Sequence, residues 1–565
     1  MTRSSMALLL SGAIVAGSAA YAREADLVLR GGVVYTLDAS RSRAEALAVD
    51  GGRIVAVGTR DDVQPFLGVG TEVVDLDGRM VLPGFHDSHA HPIAGGMDAL
   101  ACSLVEARTV EAILAKVREC AEASGEGWVV GAGWDLSLFP AANPHESLLD
   151  AVVPERPVFL EGADGHSAWV NSKALALAGI DHATSDPPHG VIERDRATGE
   201  PSGTLRESAV ALVSGLLPAP SAEAQRAGLR HALGEMASFG ITSMIDPVVG
   251  PGELATYDQA DAAGELTARI LACARLEATG PGLARRGLDA VALLARPARP
   301  ASPRLRTGCL KVFVDGVLEG ETAALLDPYL GSGSHRGMLN VEPQALAAAL
   351  GSWDAAGLQV HLHTIGDLAV RVALDALASA HRANGPRDQR HHLAHLQLVH
   401  PDDIGRFAAL DATATFQPLW AYPDSYIEDV NLEQVGRARV ERMYPIGSIH
   451  RAGGRIAGGS DWPVSSMNPL LAIEVALTRR DPAGDDPDTL NASERVDLDT
   501  MLAAYTRNGA WLARQEAITG SIEVGKAADL VILERDLFAI SPHEIGEVRV
   551  ARTIFGGRTI YQLAP

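Results

Sequence analysis

Eight short apolar runs mark the middle of the chain: RMVLPGF (79–85), ITSMID (241–246), RILACARL (269–276), LKVFVDG (310–316), LQVHLH (358–363), HHLAHL (391–396), ATATFQP (412–418) and RIAGGSD (455–461). Each has the length and flanking turn residues of a buried strand, and Ala- and Leu-rich stretches of helical pattern lie between them. Strand and helix alternating in this way predict an α/β fold, a (β/α)8 TIM-like barrel. More than 150 residues separate the first run from the second, too many for one loop and one helix. Gly- and Pro-rich stretches there, GWDLSLFPAANP and HATSDPPHGVIERDRATGEPSG, predict a subdomain inserted after strand 1.

The two ends of the chain echo each other. Ala25-Asp26-Leu27-Val28-Leu29 resembles Ala528-Asp529-Leu530-Val531-Ile532, and both sit among β-branched segments with Gly turns. A small β domain built from both termini follows. The expected division is a leader at 1–22, β segments at 23–79 and 515–565, and a barrel at 80–514 with its insertion at about 97–235. Length alone would suggest about four domains at roughly 150 residues each, so the strand pattern changes that estimate.

Composition narrows the function. Lys+Arg 48 against Asp+Glu 71 gives a net charge of −23. With no basic excess to neutralise phosphates, nucleic acid and anionic membrane are not expected as partners; a small-molecule substrate is, and homo-oligomerisation is left open. Arg3, the apolar run Met6 to Ala16 and Ala20-Tyr21-Ala22 read as a cleavable secretory signal. That run is shorter than the roughly 20 residues a bilayer span needs. A mature chain from Arg23, periplasmic or secreted, is expected. Cys102 and Cys120 flank a predicted helix (109–123) and are expected to form a disulfide. Cys273 and Cys309, within apolar runs, are expected as buried free thiols.

The chemistry sits at the strand ends. The first run continues His86-Asp87-Ser88-His89-Ala90-His91, where alternation turns His89 and His91 to one face. Two imidazoles so spaced can chelate one metal ion. Lys311, His363, His395 and Asp461 lie at or near the ends of the fourth, fifth, sixth and eighth runs. Taken singly each has a plainer reading: an interior lysine reaching to water, buried hydrogen-bonded histidines, a helix N-cap aspartate. Together they occupy the end of the barrel where active sites of this fold gather.

These residues stand in stretches that make the chain resemble the amidohydrolase superfamily, in the amidohydrolase 3 group that includes N-substituted formamide deformylases. The stretches are VLPGFHDSHAHP, GAGWD, DGHSAWVNSKAL, TGEPSGTLRE, KVFVDGVLEGETA, HTIGD, RHHLAHLQLV, GGSDWPV and GSIEVGKAADLVIL. The resemblance implies a composite β-sandwich beside the barrel and a centre of two divalent ions, usually zinc. His89 and His91 would hold the more buried ion, Lys311 as a carbamate would bridge, and His363 and His395 would hold the second. Asp461 would ligate and move the proton. The implied reaction is metal-dependent hydrolysis of an amide-type C–N bond: N-acyl, N-formyl, carbamate or cyclic amide.

Other residues complete the expectation. His166, carried over the mouth by the insertion, is the candidate donor to the substrate carbonyl; Trp134, Trp169, Trp462 and Gln417 are candidate pocket residues. His361 shares the face of His363 one layer deeper, as a buried partner or an extra ligand. Of His391 and His392, at most one faces inward. Ala394 stands where the group commonly has Glu. The absence of an Arg- or Lys-rich cluster favours a neutral or aromatic substrate. The competing readings are a mononuclear deaminase of an amine heterocycle and a catalytically silent barrel that binds or regulates. The first leaves Lys311 unexplained, and the second leaves a full ligand set unused.

Overall fold

The computed structural model describes residues 24–276, 280–294, 302–484 and 487–564; the expected leader lies outside the described residues. Its centre is a ring of eight parallel strands: β1 (Phe85–Asp87), β2 (Ile241–Val249), β3 (Arg269–Leu276), β4 (Leu305–Phe313), β5 (Gln359–Thr364), β6 (His392–His395), β7 (Thr413–Phe416) and β8 (Ile456–Gly458). Each pairs with the next in sequence order from β1 to β8. Past the strand ends β8 meets β1: Ser88 N donates to Gly458 O (2.9 Å), Asp461 N to His89 O (2.7 Å) and His91 N to Trp462 O (2.8 Å). The register sets Lys311 beside His361, His361 beside His392 and Thr364 beside His395, so ligand-type residues on neighbouring strands reach similar heights.

Helices follow the strands and cover the ring. Asp367–Asn384 shows why: Ala369, Val370, Ala373, Leu374, Leu377 and Ala380 recur at helical spacing and are buried against the barrel. Asp367 in its first turn and His381 and Arg382 in its last complement the helix dipole.

The first apolar run serves two sheets, which corrects its reading as one strand. Met80–Pro83 pairs antiparallel with Leu530–Leu533 and parallel with Val33 and Val34, in a sheet drawn from both ends of the chain. Only Phe85–Asp87 enters the barrel. Between them Gly84 N donates to Asp529 O (2.9 Å), and a Cβ at Gly84 would collide with the Thr242 side chain. An apolar run reads the same whichever sheet it joins. The insertion carries its own six-stranded sheet, in the order 190–194, 201–207, 167–170, 158–162, 129–134, 102–103.

Cys102 is bridged to Cys120, a residue of the helix Val110–Ala123, with Cα atoms 5.8 Å apart. Cys273 and Cys309 are also bridged, which overturns their expectation as free thiols. They occupy adjacent strands β3 and β4 in direct register, Cα atoms 4.3 Å apart, and strand adjacency is invisible in the apolar composition of either run. Thiol titration of the denatured, unreduced protein is therefore expected to find no free thiol; two would leave a single bridge, and four would refute both.

Candidate metal centre

The site begins with a carboxylate that the sequence reading did not single out. Asp87, the last residue of β1, accepts from His89 N (3.0 Å) and Ser460 N (3.0 Å) through Oδ1 and from Ser460 Oγ (2.6 Å) through Oδ2. It thus ties the chain after β1 to the chain after β8. The approach is close enough that a Cβ on Gly459 would lie 2.8 Å from His89 N. Burial raises the Asp87 carboxyl to about 6, against the pull of these donors. The clamp sets His89, His91 and Asp461 side by side.

His91 Nε2 lies 3.1 Å and His89 Nε2 3.4 Å from Asp461 Oδ1, and one donor atom from each residue falls within 4.8 Å of the others. Zinc takes N and O ligands at about 2 Å, so donor atoms this close together could share one ion. His361 is the partner, not an added corner: its Nε2 is 3.0 Å from His89 Nδ1, which leaves His89 Nε2 facing Asp461. Lys311 Nζ approaches His89 Nε2 at 3.5 Å, and burial brings this amine down to about 7. His395 Nδ1 is 3.5 Å from Asp461 Oδ2 and 3.0 Å from Gln417 Oε1, while its Nε2 is buried with no hydrogen-bond partner. The His363 ring lies 4.4 Å from that of His395, its Nε2 3.2 Å from Gly316 O. Burial drives His89, His361 and His363 far below the ordinary imidazole range and His395 to about 3, which keeps the rings neutral, as ligation requires. Burial alone would raise Asp461; the hydrogen bond from His91, with His395 and Lys311 close by, outweighs it and holds the carboxyl at about 2.

The insertion delivers His166, whose ring lies 5.0 Å from that of His363, tilted by 40°. Its Nδ1 is 3.0 Å from Glu207 Oε2, a partner the sequence reading missed. Burial would lower His166, but the Glu207 charge and hydrogen bond raise it to about 9.

Two tryptophans must be reassigned. Trp134 and Trp169 were expected in the pocket, but both are fully buried with Phe139 in the insertion's own core. Their indole nitrogens donate to Leu160 O (3.0 Å) and His145 O (3.2 Å). Trp462 packs its ring on Gly95, in the helix Pro92–Leu100. Aromatic rings beside the ligand residues are Trp420, stacked on His395 at 5.8 Å, and Phe313, 5.2 Å from the His363 ring and 4.9 Å from Lys311 Nζ. His392 points inward to His361 and His391 outward to Asp354. Asp315 accepts from Ala324 N, Ile365 N and Gly366 N and so fixes the loops after β4 and β5.

The amidohydrolase family profile (Amidohydro_3) matches residues 72–561. The chain belongs to the amidohydrolase family. It is 32% identical to Protein LONG AFTER FAR-RED 3 of Arabidopsis thaliana, covering 95% of this chain and 92% of that one. Identity is 30% both to Putative amidohydrolase YtcJ of Bacillus subtilis (95% and 99% covered) and to N-substituted formamide deformylase of Arthrobacter pascens (95% and 98% covered). An uncharacterized metal-dependent hydrolase from Pyrococcus furiosus superposes with TM-score 0.67 at 25% identity, covering 90% of this chain and 99% of that one. A second, from Pyrococcus horikoshii, shares the fold with TM-score 0.71.

For this amidohydrolase the Asp87 clamp carries a direct expectation. Asp87→Ala orphans two buried backbone donors at about 1–3 kcal/mol each, whereas Asp87→Asn keeps an oxygen at the Oδ1 position. Urea unfolding should show a loss of about 2–6 kcal/mol for Ala and a clearly smaller one for Asn. Equal stability of Asp87→Ala and the parent would exclude the clamp.

Proposed function

We propose that the chain is an exported amidohydrolase that cleaves an amide-type C–N bond with the help of two divalent ions, most simply zinc. The observation that carries this reading is Lys311. A buried amine stands among ligand-type imidazoles, and no carboxylate lies within ion-pair distance of it among the described residues. As an ammonium it would repel a cation; as a carbamate, formed when the neutral amine adds CO2 and releases a proton, it becomes an anionic oxygen donor. With its amine lowered to about 7, the neutral form is well populated near pH 7. The orphaned His395 Nε2 fits the same set.

His89, His91 and Asp461 would hold one ion, His363 and His395 the other, and Lys311 would lie between. When bound, such ions polarise an acyl oxygen and lower the pKa of water. Asp461, ionised and beside His91, accepts a proton from the attacking water and returns it to the leaving amine. His166 faces the acyl oxygen from the insertion side. The sum is amide plus water giving carboxylate and ammonium, the proton lost by the acid being the one gained by the leaving amine.

Charge around His166 supports a narrower substrate class. Asp164 Oδ1 accepts from His166 N, and Glu207 Oε2 faces His166 Nδ1 at 3.0 Å, so two acidic side chains flank the one histidine. Carboxylates so placed disfavour anionic substrates, which favours N-acyl or N-formyl amines over N-acyl amino acids. The similarity to N-substituted formamide deformylase points the same way. The two disulfides support export, since such bonds persist in oxidising compartments.

Metal analysis of purified protein should find about two equivalents of zinc per chain. Lys311→Ala should fall to one or fewer and lose turnover; Asp461→Asn should lose turnover while keeping its fold. One equivalent in the parent chain would favour a mononuclear centre, and two in Lys311→Ala would contradict the bridging role.

A further inference from the structure

Glu207 ends the insertion strand Pro201–Glu207 in a conformation that non-glycine residues rarely adopt, φ 51° and ψ −125°. Such strain persists where surrounding contacts over-determine it. Here its backbone N donates to His166 O (2.9 Å), so main chain and side chain grip the same residue. Both carboxylate oxygens are used. Oε2 faces His166 Nδ1 at 3.0 Å, and Oε1 accepts from Thr322 Oγ1 (2.7 Å), in the loop after β4. Thr322 Oγ1 in turn accepts from Val317 N (2.9 Å). The carboxylate reaches this loop because Gly316 has no side chain: a Cβ there would collide with Glu207 Oε1. Gly316 O faces His363 Nε2 at 3.2 Å. Glu207 therefore spans from the insertion to the loop that touches a ligand residue. No Lys or Arg neutralises it within ion-pair distance among the described residues.

We propose that Glu207 is a positioning residue: by accepting the Nδ1 proton of His166 it holds that ring over His363 with Nε2 turned to the cleft. The proposal rests on the hydrolase reading, in which His166 meets the acyl oxygen. The His166 ring retains some exposure, its side chain being 14% accessible, and no hydrogen bond within the protein occupies its Nε2 among the described residues. A ring hinged only at Cβ would swing away from a reacting carbonyl, and small displacements of a donor are costly in rate. The barrel alone supplies the ligand set, but the insertion supplies the held donor.

The test uses the full zinc-loaded chain with 4-nitroformanilide and 4-nitroacetanilide as probes. Glu207→Gln keeps reach and an acceptor oxygen but loses charge; Glu207→Asp keeps charge but loses reach. With zinc content unchanged throughout, kcat should fall in the order parent, Gln, then Asp and Ala together, with Ala down about 30- to 100-fold and KM moved less than about threefold. In a His166→Ala background, Glu207→Ala should cause no further loss. Nitrogen-15 histidine spectra, with His166 assigned by its disappearance in His166→Ala, should show a protonated Nδ1 in the parent and the Gln variant. Parent-like rates for Asp with Ala-like rates for Gln would make charge, not position, the role and overturn the proposal. Losses that multiply in the double variant would overturn it too, as would an unprotonated Nδ1 in the parent. If neither anilide is cleaved by the parent, that failure belongs to the hydrolase reading, and the spectra alone decide the Glu207 hydrogen bond.

Discussion

The carboxylate of Asp87 is the constraint on which the site depends. A parallel barrel closes only if its last strand meets its first, and here the two ends are 373 residues apart in sequence. Three hydrogen bonds to one buried carboxylate, with a glycine at 459 to permit the approach, fix that meeting. The same bonds set the backbones of His89 and Asp461, so barrel closure and ligand convergence are one event. The desolvation cost of burying Asp87 is offset where it serves both ends at once.

Around that clamp the molecule separates tasks. Barrel strands give rigid positions for imidazoles and a lysine, and burial keeps those imidazoles neutral. The insertion gives a second sheet with its own aromatic core, and from its edge one histidine reaches the ligand cluster. Asp315 fixes the loops on which that approach relies.

Much of this was legible in the sequence because strand periodicity and strand ends are local properties. The alternation around His89 and His91, and Lys311, His363, His395 and Asp461 near the ends of their runs, required only counting along the chain. What stayed hidden depends on lateral neighbours. The Cys273–Cys309 bridge needs β3 and β4 to be adjacent and in register. The division of the first run at Gly84 needs two sheets to be known at once. Trp134 and Trp169 were misplaced because sequence does not show which face of an inserted strand meets its own core. Glu207 had no local signal, since its partners lie 41 and 115 residues away.

The central claim is that one end of this barrel is a metal centre organised by the β1–β8 junction. Anomalous diffraction at the zinc edge from crystals of zinc-loaded protein tests it most directly. The account predicts two peaks, one within about 2.0–2.2 Å of nitrogens of His89 and His91 and the other beside His363 and His395, with added density on Lys311 Nζ between them. A map in which the barrel is intact and no peak lies within bonding distance of His89 and His91 would contradict it.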